Sequence, residues 1–213
     1  MTSDLISQEG NDNTVVGVEA FGATGKLKIV GNSNTVRIGA RANLRQLRVE
    51  ITGDACELII GSKCKLRGFF QIKGRGSRII IGDQTTATGA SMVALEGKTI
   101  RIGKESMLSY HIEVRTSDAH ALLDLETRKR INLPADVTVM DHVWIGARVV
   151  IAKGAVVPDD VVVGQGSLVN KVYTESHCVI AGTPAKVVKR GITWDRELAT
   201  GLDQTEGADV PPI

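Results

Sequence analysis

Rings are scarce in this chain: three Phe, two Tyr and two Trp make up 3% of its 213 residues. That shortage fits a narrow interior filled by aliphatic and small side chains better than a broad core built on aromatics. Cysteine is sparse as well. Cys56, Cys64 and Cys178 are an odd set with no CxxC, which excludes a disulfide framework or a zinc ribbon and points to a reducing compartment, the cytoplasm. An excess of one charge is missing: 26 Lys and Arg against 24 Asp and Glu leave +2, too balanced for a nucleic-acid binder. No apolar run approaches membrane-spanning length, and the N-terminal MTSDLISQEGNDNT is polar, so neither a signal peptide nor membrane insertion is expected. With 42% hydrophobic and 23% charged residues, the chain has the make-up of one sizeable globular domain.

What is present is a period of six. From Val139 to Leu168 the chain reads VMDHVW-IGARVV-IAKGAV-VPDDVV-VGQGSL. First positions are Val139, Ile145, Ile151, Val157 and Val163; fifth positions are Val143, Val149, Ala155, Val161 and Ser167. The first is always aliphatic and the fifth always small or β-branched. Six fits neither the helical 3.6 nor strand alternation. It fits a short strand plus a tight corner, repeated, and three such hexads close one triangular coil of a parallel β-helix. Glycines at the second position suggest corners with positive φ.

A looser version occupies the first half. GNDNT at Gly10 recurs as GNSNT at Gly31, and the Ile-Gly pairs ending at Gly39, Gly61, Gly82 and Gly103 lie 22, 21 and 21 residues apart, against 18 between Gly146, Gly164 and Gly182. This implies the same coil with three or four extra residues spread over its corners, where Asn and Gly tolerate left-handed backbone. The fifth-position rule continues through Ala42, Cys64, Thr85 and Ser106, which makes Cys64 a small core residue. The tight register appears at Ile102, Leu108 and Val114, with Asp118 in a fifth position, then stops. Residues 119–138 form a protruding loop, the kind of solenoid insertion that carries function. The expected organisation is a polar tail over 1–9, the β-helix over 10–185, and a cap and tail over 186–213, with a short capping helix near Thr193 to Leu198 and a last stretch, ADVPPI, disordered or draped on a neighbour. The crossover rule would favour a right-handed coil.

Four histidines are candidates for acid–base work: His111, His120, His142 and His177. His120 sits where the hexads break. Asp118 either orients its ring or merely turns a corner. His142 is read as a corner residue bonded to backbone. The spacings of 9, 22 and 35 between the histidines lack the close pair of a zinc site, so no metal is expected. Trp144, in a sixth position, is read as a corner residue pointing outward, for a subunit interface or a ligand platform. Trp194 is read as a packing anchor for the cap. Arg128, Lys129 and Arg130 on the loop either face solvent or meet an anionic acceptor.

The run DHVWIGARVVIAKGAVVPDDVVVGQGSLV, followed by CVIAGTPAKVVK, resembles the hexapeptide-repeat acyltransferases. The resemblance implies a left-handed parallel β-helix, a homotrimer, and acetyl-CoA as co-substrate. TSDAH resembles the segment with the family's catalytic histidine, which implies His120 as base. The GNDNT and GNSNT units and the ending TPAKVVKRGITWDRE are similar to the bacterial capsular polysaccharide O-acetyltransferases, those acting on polysialic acid among them. By the same resemblance Trp144 lies beside His120 of a neighbouring chain near the CoA thiol. Ala147 and Gln165 line the pantetheine arm, although Gln165 departs from the family's small residue. Lys171 and Lys186 match its basic positions, and Lys189 joins them as a candidate for the phosphates. The implied function is O-acetylation of a capsular polysaccharide or its sugar precursor. Two alternatives are acetylation of a small amino sugar or xenobiotic, and a structural β-helix subunit that binds no CoA.

Overall fold

The computed structural model describes residues 5–197, so the expected ADVPPI end and Leu198 lie outside the described residues. The chain is an all-β solenoid. Its strands form a 12-stranded and a 7-stranded sheet, in which neighbours are successive coils apart from the C-terminal hairpin. The smaller sheet is the first side of the coil, from Thr14–Val16 through Glu57–Ile60 and Thr99–Ile102 to Val156–Val157. In the first half the other two sides share one long strand per coil: Asn43–Thr52, Lys65–Lys73, Thr86–Leu95 and Met107–Arg115. In the second half that strand splits, and Met107–Arg115 pairs separately with Trp144–Ile145 and Val150–Ile151.

The six-residue register holds. Ile102 pairs with Val139, Leu108 with Ile145, and Val114 with Ile151, all essentially fully buried. Burying each such aliphatic side chain contributes about 1.5–3 kcal/mol. Sixth positions start the two-residue strands and face outward, so Trp144 is a strand residue rather than a corner one. The fifth-position column is buried through Cys64, Thr85, Ser106 and Val143. Its polar members are satisfied internally: the Cys64 thiol donates to the Gly82 carbonyl (3.1 Å) and the Thr85 hydroxyl to that of Gly103 (2.7 Å). Burial pushes the Cys64 thiol up to about 11, which suits a core residue.

Three expectations need correction. The extra residues of the early coils are not spread over the corners. Leu66, Ala87 and Leu108 stack, as do Phe70, Met92 and Val114, so the step between these columns is 4, 5 and 6 residues. The extra length sits on the third side and its turn, where Phe70 and Ile72 both point inward, and the long loop leaves from that same turn. Second, the second-position glycines are not there for positive φ. A Cβ on Gly146 would lie 2.8 Å from the Gln165 nitrogen: stacked corners leave it no room. Positive φ falls two residues later, on Arg41, Lys63, Gln84, Glu105, His142 and Asp160. In GNSNT it falls on Gly31 and Ser33, while Asn34 is buried and donates to the Gly53 carbonyl (2.9 Å) in an internal ladder. Third, residues 193–197 are not helical. The last coil is closed by an antiparallel hairpin of Cys178–Gly182 with Ala185–Arg190, which covers the open strand edge. At the other end Ile6–Glu9, within the expected polar tail, pairs with Lys26–Val30.

Beyond the hairpin the chain turns back as a strap down the first corner. Left-handed residues there turn their carbonyls outward, and the strap reads them in turn. Ile192 N–H donates to His177 O (3.0 Å), Trp194 Nε1 to His142 O (2.9 Å), and Arg196 to Glu105 O (3.2 Å) and Gln84 O (3.3 Å).

Candidate active site

The strand Met107–Arg115 carries the chain out to the loop. Thr116 and Ser117 are buried at its exit, and Thr116 Oγ1 accepts from the Leu95 N–H (2.8 Å). The loop is a short β-arm: Ile131 N–H donates to Leu122 O (2.9 Å), and Asp124 caps the tip through Thr127 (N–H 2.8 Å, hydroxyl 2.7 Å). Asn132 ties its two legs together, donating to His120 O (2.8 Å) and Asp118 Oδ2 (2.7 Å) and accepting from Leu122 N–H (2.7 Å). Lys153 from the next coil donates to the same carboxylate (2.5 Å).

His120 is thereby fixed through its backbone at the mouth of a cleft of about 440 Å³, lined also by Lys73, Leu95, Glu96 and Arg130. Its side chain is exposed. Glu96 anchors the arm by two bonds from Arg130 (2.5 and 3.0 Å) and one from the Ser117 hydroxyl. The Arg130 guanidinium, with Ser117 second, holds the Glu96 carboxyl down at about 2. Lys153 and then Asn132 lower Asp118. Asp118 is thus neither a core fifth position nor the partner of the His120 ring; it braces the loop base. Arg130 is likewise committed to Glu96, whereas Arg128 and Lys129 are exposed at the tip.

Trp144 stands on the second side, 38% exposed, with its ring 6.1 Å from that of Trp194. Trp194 is buried and stacks on His142 at 4.4 Å and 9°. His142 occupies the expected corner, but its partner is a side chain: Nδ1 lies 2.7 Å from Asp160 Oδ1. Ala147 and Gln165 share the next corner, where Gly166 N–H donates to Ala147 O (2.8 Å). Lys171 is exposed with its ammonium 5.2 Å from the Tyr173 ring centroid, and Lys186 and Lys189 are exposed on the closing hairpin. Among the described residues no three His, Cys, Asp or Glu side chains are grouped to hold a metal.

Within one chain, therefore, Trp144, Ala147 and Gln165 occupy the second side and its far corner, while His120 stands beyond the third side. The residues that sequence reasoning missed are Glu96, Asn132 and Lys153. Glu96 and Lys153 lie in other coils, 34 residues from Arg130 and 35 from Asp118, and carry no local signal.

No protein-family model matches the chain. It is 33% identical over 199 residues to a polysialic acid O-acetyltransferase of Neisseria meningitidis, covering 93% of each chain. Its structure is similar to that of the polysialic acid O-acetyltransferase OatWY, with a TM-score of 0.84, 31% identity, and 92% of this chain and 94% of that one covered. It is also similar to the polySia-specific acetyltransferase NeuO, with a TM-score of 0.80, 30% identity, and 92% and 91% covered. The solenoid is the left-handed parallel β-helix.

Proposed function

The chain belongs to the polysialic acid O-acetyltransferase family, and from that premise we propose that it moves an acetyl group from acetyl-CoA to a hydroxyl of a bacterial capsular polysaccharide or of its sugar precursor. His120 is the general base. It takes the proton of the acceptor hydroxyl as that oxygen attacks the thioester carbonyl, and the imidazolium then protonates the departing CoA thiolate. The observation that carries this is the arm's construction: its base is pinned by Asn132, Glu96 and Lys153, yet the His120 side chain stays exposed at a cleft. Groups held this way lose little freedom when substrate arrives.

The active unit is a homotrimer with its sites between protomers. Two features support this. His120 and Trp144 lie on different sides of one chain, so a second copy is needed to unite them. The arm also exposes Leu122, Leu125, Ile131 and Leu133, each at least 60% accessible. Trp144, Ala147 and Gln165 receive the thiol end and the pantetheine arm, where close-stacked corners leave a flat surface. Lys171, Lys186 and Lys189 take the phosphates. The enzyme works in the cytoplasm, where the donor is made; three buried free thiols suit that compartment. Incubation with acetyl-CoA and a panel of capsular oligosaccharides tests the function. Acetyl ester on a glycan is the expected product, and CoA binding without transfer to any glycan would refute the acceptor class.

A further inference from the structure

Trp144 is the outward residue of the strand Trp144–Ile145, since Ile145 is buried. In its column it pairs with Met107 of the coil before and Val162 of the coil after. An indole 38% exposed on a flat sheet face has several staggered rotamers open to it. Trp194 approaches it from the side, with its ring centroid 6.1 Å away and the planes tilted by 47°. That separation is within the range of aromatic pairs in contact.

Trp194 is fixed far more firmly than Trp144. It is 7% exposed, its ring stacks on His142 at 4.4 Å and 9°, and its Nε1–H donates to the His142 carbonyl (2.9 Å). His142 is held in turn by Asp160, whose Oδ1 lies 2.7 Å from its Nδ1. The Arg196 guanidinium lies 5.8 Å from the Trp194 ring centroid and donates to Thr86 Oγ1 (2.8 Å) and Ser106 O (2.9 Å). Thr86 pairs with Met107 and Met107 with Trp144, so the strap follows this one outward column from coil to coil. A residue that only anchored the cap would pack on the closing strand Cys178–Gly182. Trp194 packs two coils below that strand, at the level of Trp144.

We propose that Trp194 is a positioning residue for the transfer step: its ring blocks the flank of Trp144 toward the first corner and so holds the Trp144 indole turned toward Ala147 and Gln165, where the thiol end of the donor lies. His142 precedes Trp144 and Ala147 follows it, so the two flanks belong to opposite corners of the second side. With the indole fixed before the donor arrives, the thioester meets a formed wall and little rotamer freedom is lost on binding. Trp194 touches neither substrate in this scheme; it acts through Trp144. The inference rests on Trp144 receiving the thiol end, as proposed above, and adds the residue that orients it.

The chain has two tryptophans, so every Trp194 variant leaves Trp144 as its sole indole fluorophore. Trp194→Phe keeps a ring to pack against Trp144, Trp194→Leu keeps apolar bulk without one, and Trp194→Ala keeps neither. Trp144 emission should show high anisotropy and little acrylamide quenching in Trp194→Phe, with lower anisotropy and stronger quenching in Trp194→Leu and Trp194→Ala. In steady-state acetyl transfer Trp194→Leu and Trp194→Ala should lose about tenfold or more in kcat and Trp194→Phe should restore most of it, while affinity for the adenosine bisphosphate half of CoA stays within about twofold of the wild type. If Trp194→Ala fails to fold, the Phe and Leu variants carry the comparison. Equal rigidity of Trp144 in all variants, unchanged kcat, or an equal loss in Trp194→Phe and Trp194→Leu would overturn the proposal. So would a loss of nucleotide affinity in step with kcat, which marks general damage. If the wild type binds acetyl-CoA but acetylates no glycan, the functional proposal itself fails. Anisotropy and quenching then decide the positioning alone: a difference between the Phe and Leu variants supports it, and equal values overturn it.

Discussion

Arg130 holds Glu96 by two hydrogen bonds across 34 residues of sequence, joining the arm that carries His120 to the coil beneath it. Because this pair and the Ser117 hydroxyl depress Glu96 to about 2 from an ordinary 4.5, its contribution to stability is fully present above about pH 4.5 and is lost as pH falls toward 2. Glu96→Gln should therefore melt below the wild type at neutral pH, and the gap should close through that acid window. Calorimetry across the range checks this; a gap that stays constant down to pH 3 would mean the ion pair is not its source. Roughly a third of each side chain is exposed, so the effect will be modest and salt-sensitive.

Ile151 lies at a first position with no accessible surface, stacked between Val114 and Val169. Ile151→Ala should cost about 2–5 kcal/mol in denaturant unfolding. A loss well under 1 kcal/mol would contradict the register.

Gly31 and Gly76 separate two reasons for glycine. Both have positive φ, +131 and +72, but a Cβ on Gly31 would collide with the Gly53 carbonyl while one on Gly76 meets nothing within 4 Å. Gly76→Ala should cost about 1–2 kcal/mol, the usual penalty for a left-handed alanine, and Gly31→Ala distinctly more. Equal melting temperatures for the two variants would refute the collision.

Trp194→Ala removes the ring stacked on His142 and the indole bond to the His142 carbonyl. The strap should loosen, and amide exchange at the first corner, at His142 and Glu105, should accelerate. Unchanged protection there would show that Ile192 and Arg196 hold the strap without the indole.

How far the sequence could be read follows from which signals are periodic. Ile102, Leu108, Val114 and the hexads after Val139 repeat every coil, so the core and the stacking of the coils were legible, while the loop, expected over 119–138, leaves at Thr116 and ends before the strand Val137–Val139. Asp118 was misplaced because counting by six continued after the chain had left the coil at Thr116. The extra residues of the early coils were misassigned because Phe70 and Ile72 look like ordinary alternation, although both fill one widened side. The Gly146 and Gly164 column was right in position and wrong in cause: crowding between stacked corners, not φ, excludes a side chain there. The strap and the Glu96 anchor are single contacts between distant segments, and a repeat search cannot see them.

The central claim is that His120 is the general base, and steady-state acetyl transfer by His120→Ala, with CoA affinity measured separately on the folded variant, tests it most directly. Turnover should fall by about 10²–10⁴-fold, the worth of a positioned base, while CoA binding changes little. His142, spent on Asp160 and Trp194, should tolerate replacement by Ala with far smaller loss. Near-normal turnover in His120→Ala together with abolition in His142→Ala would contradict the account.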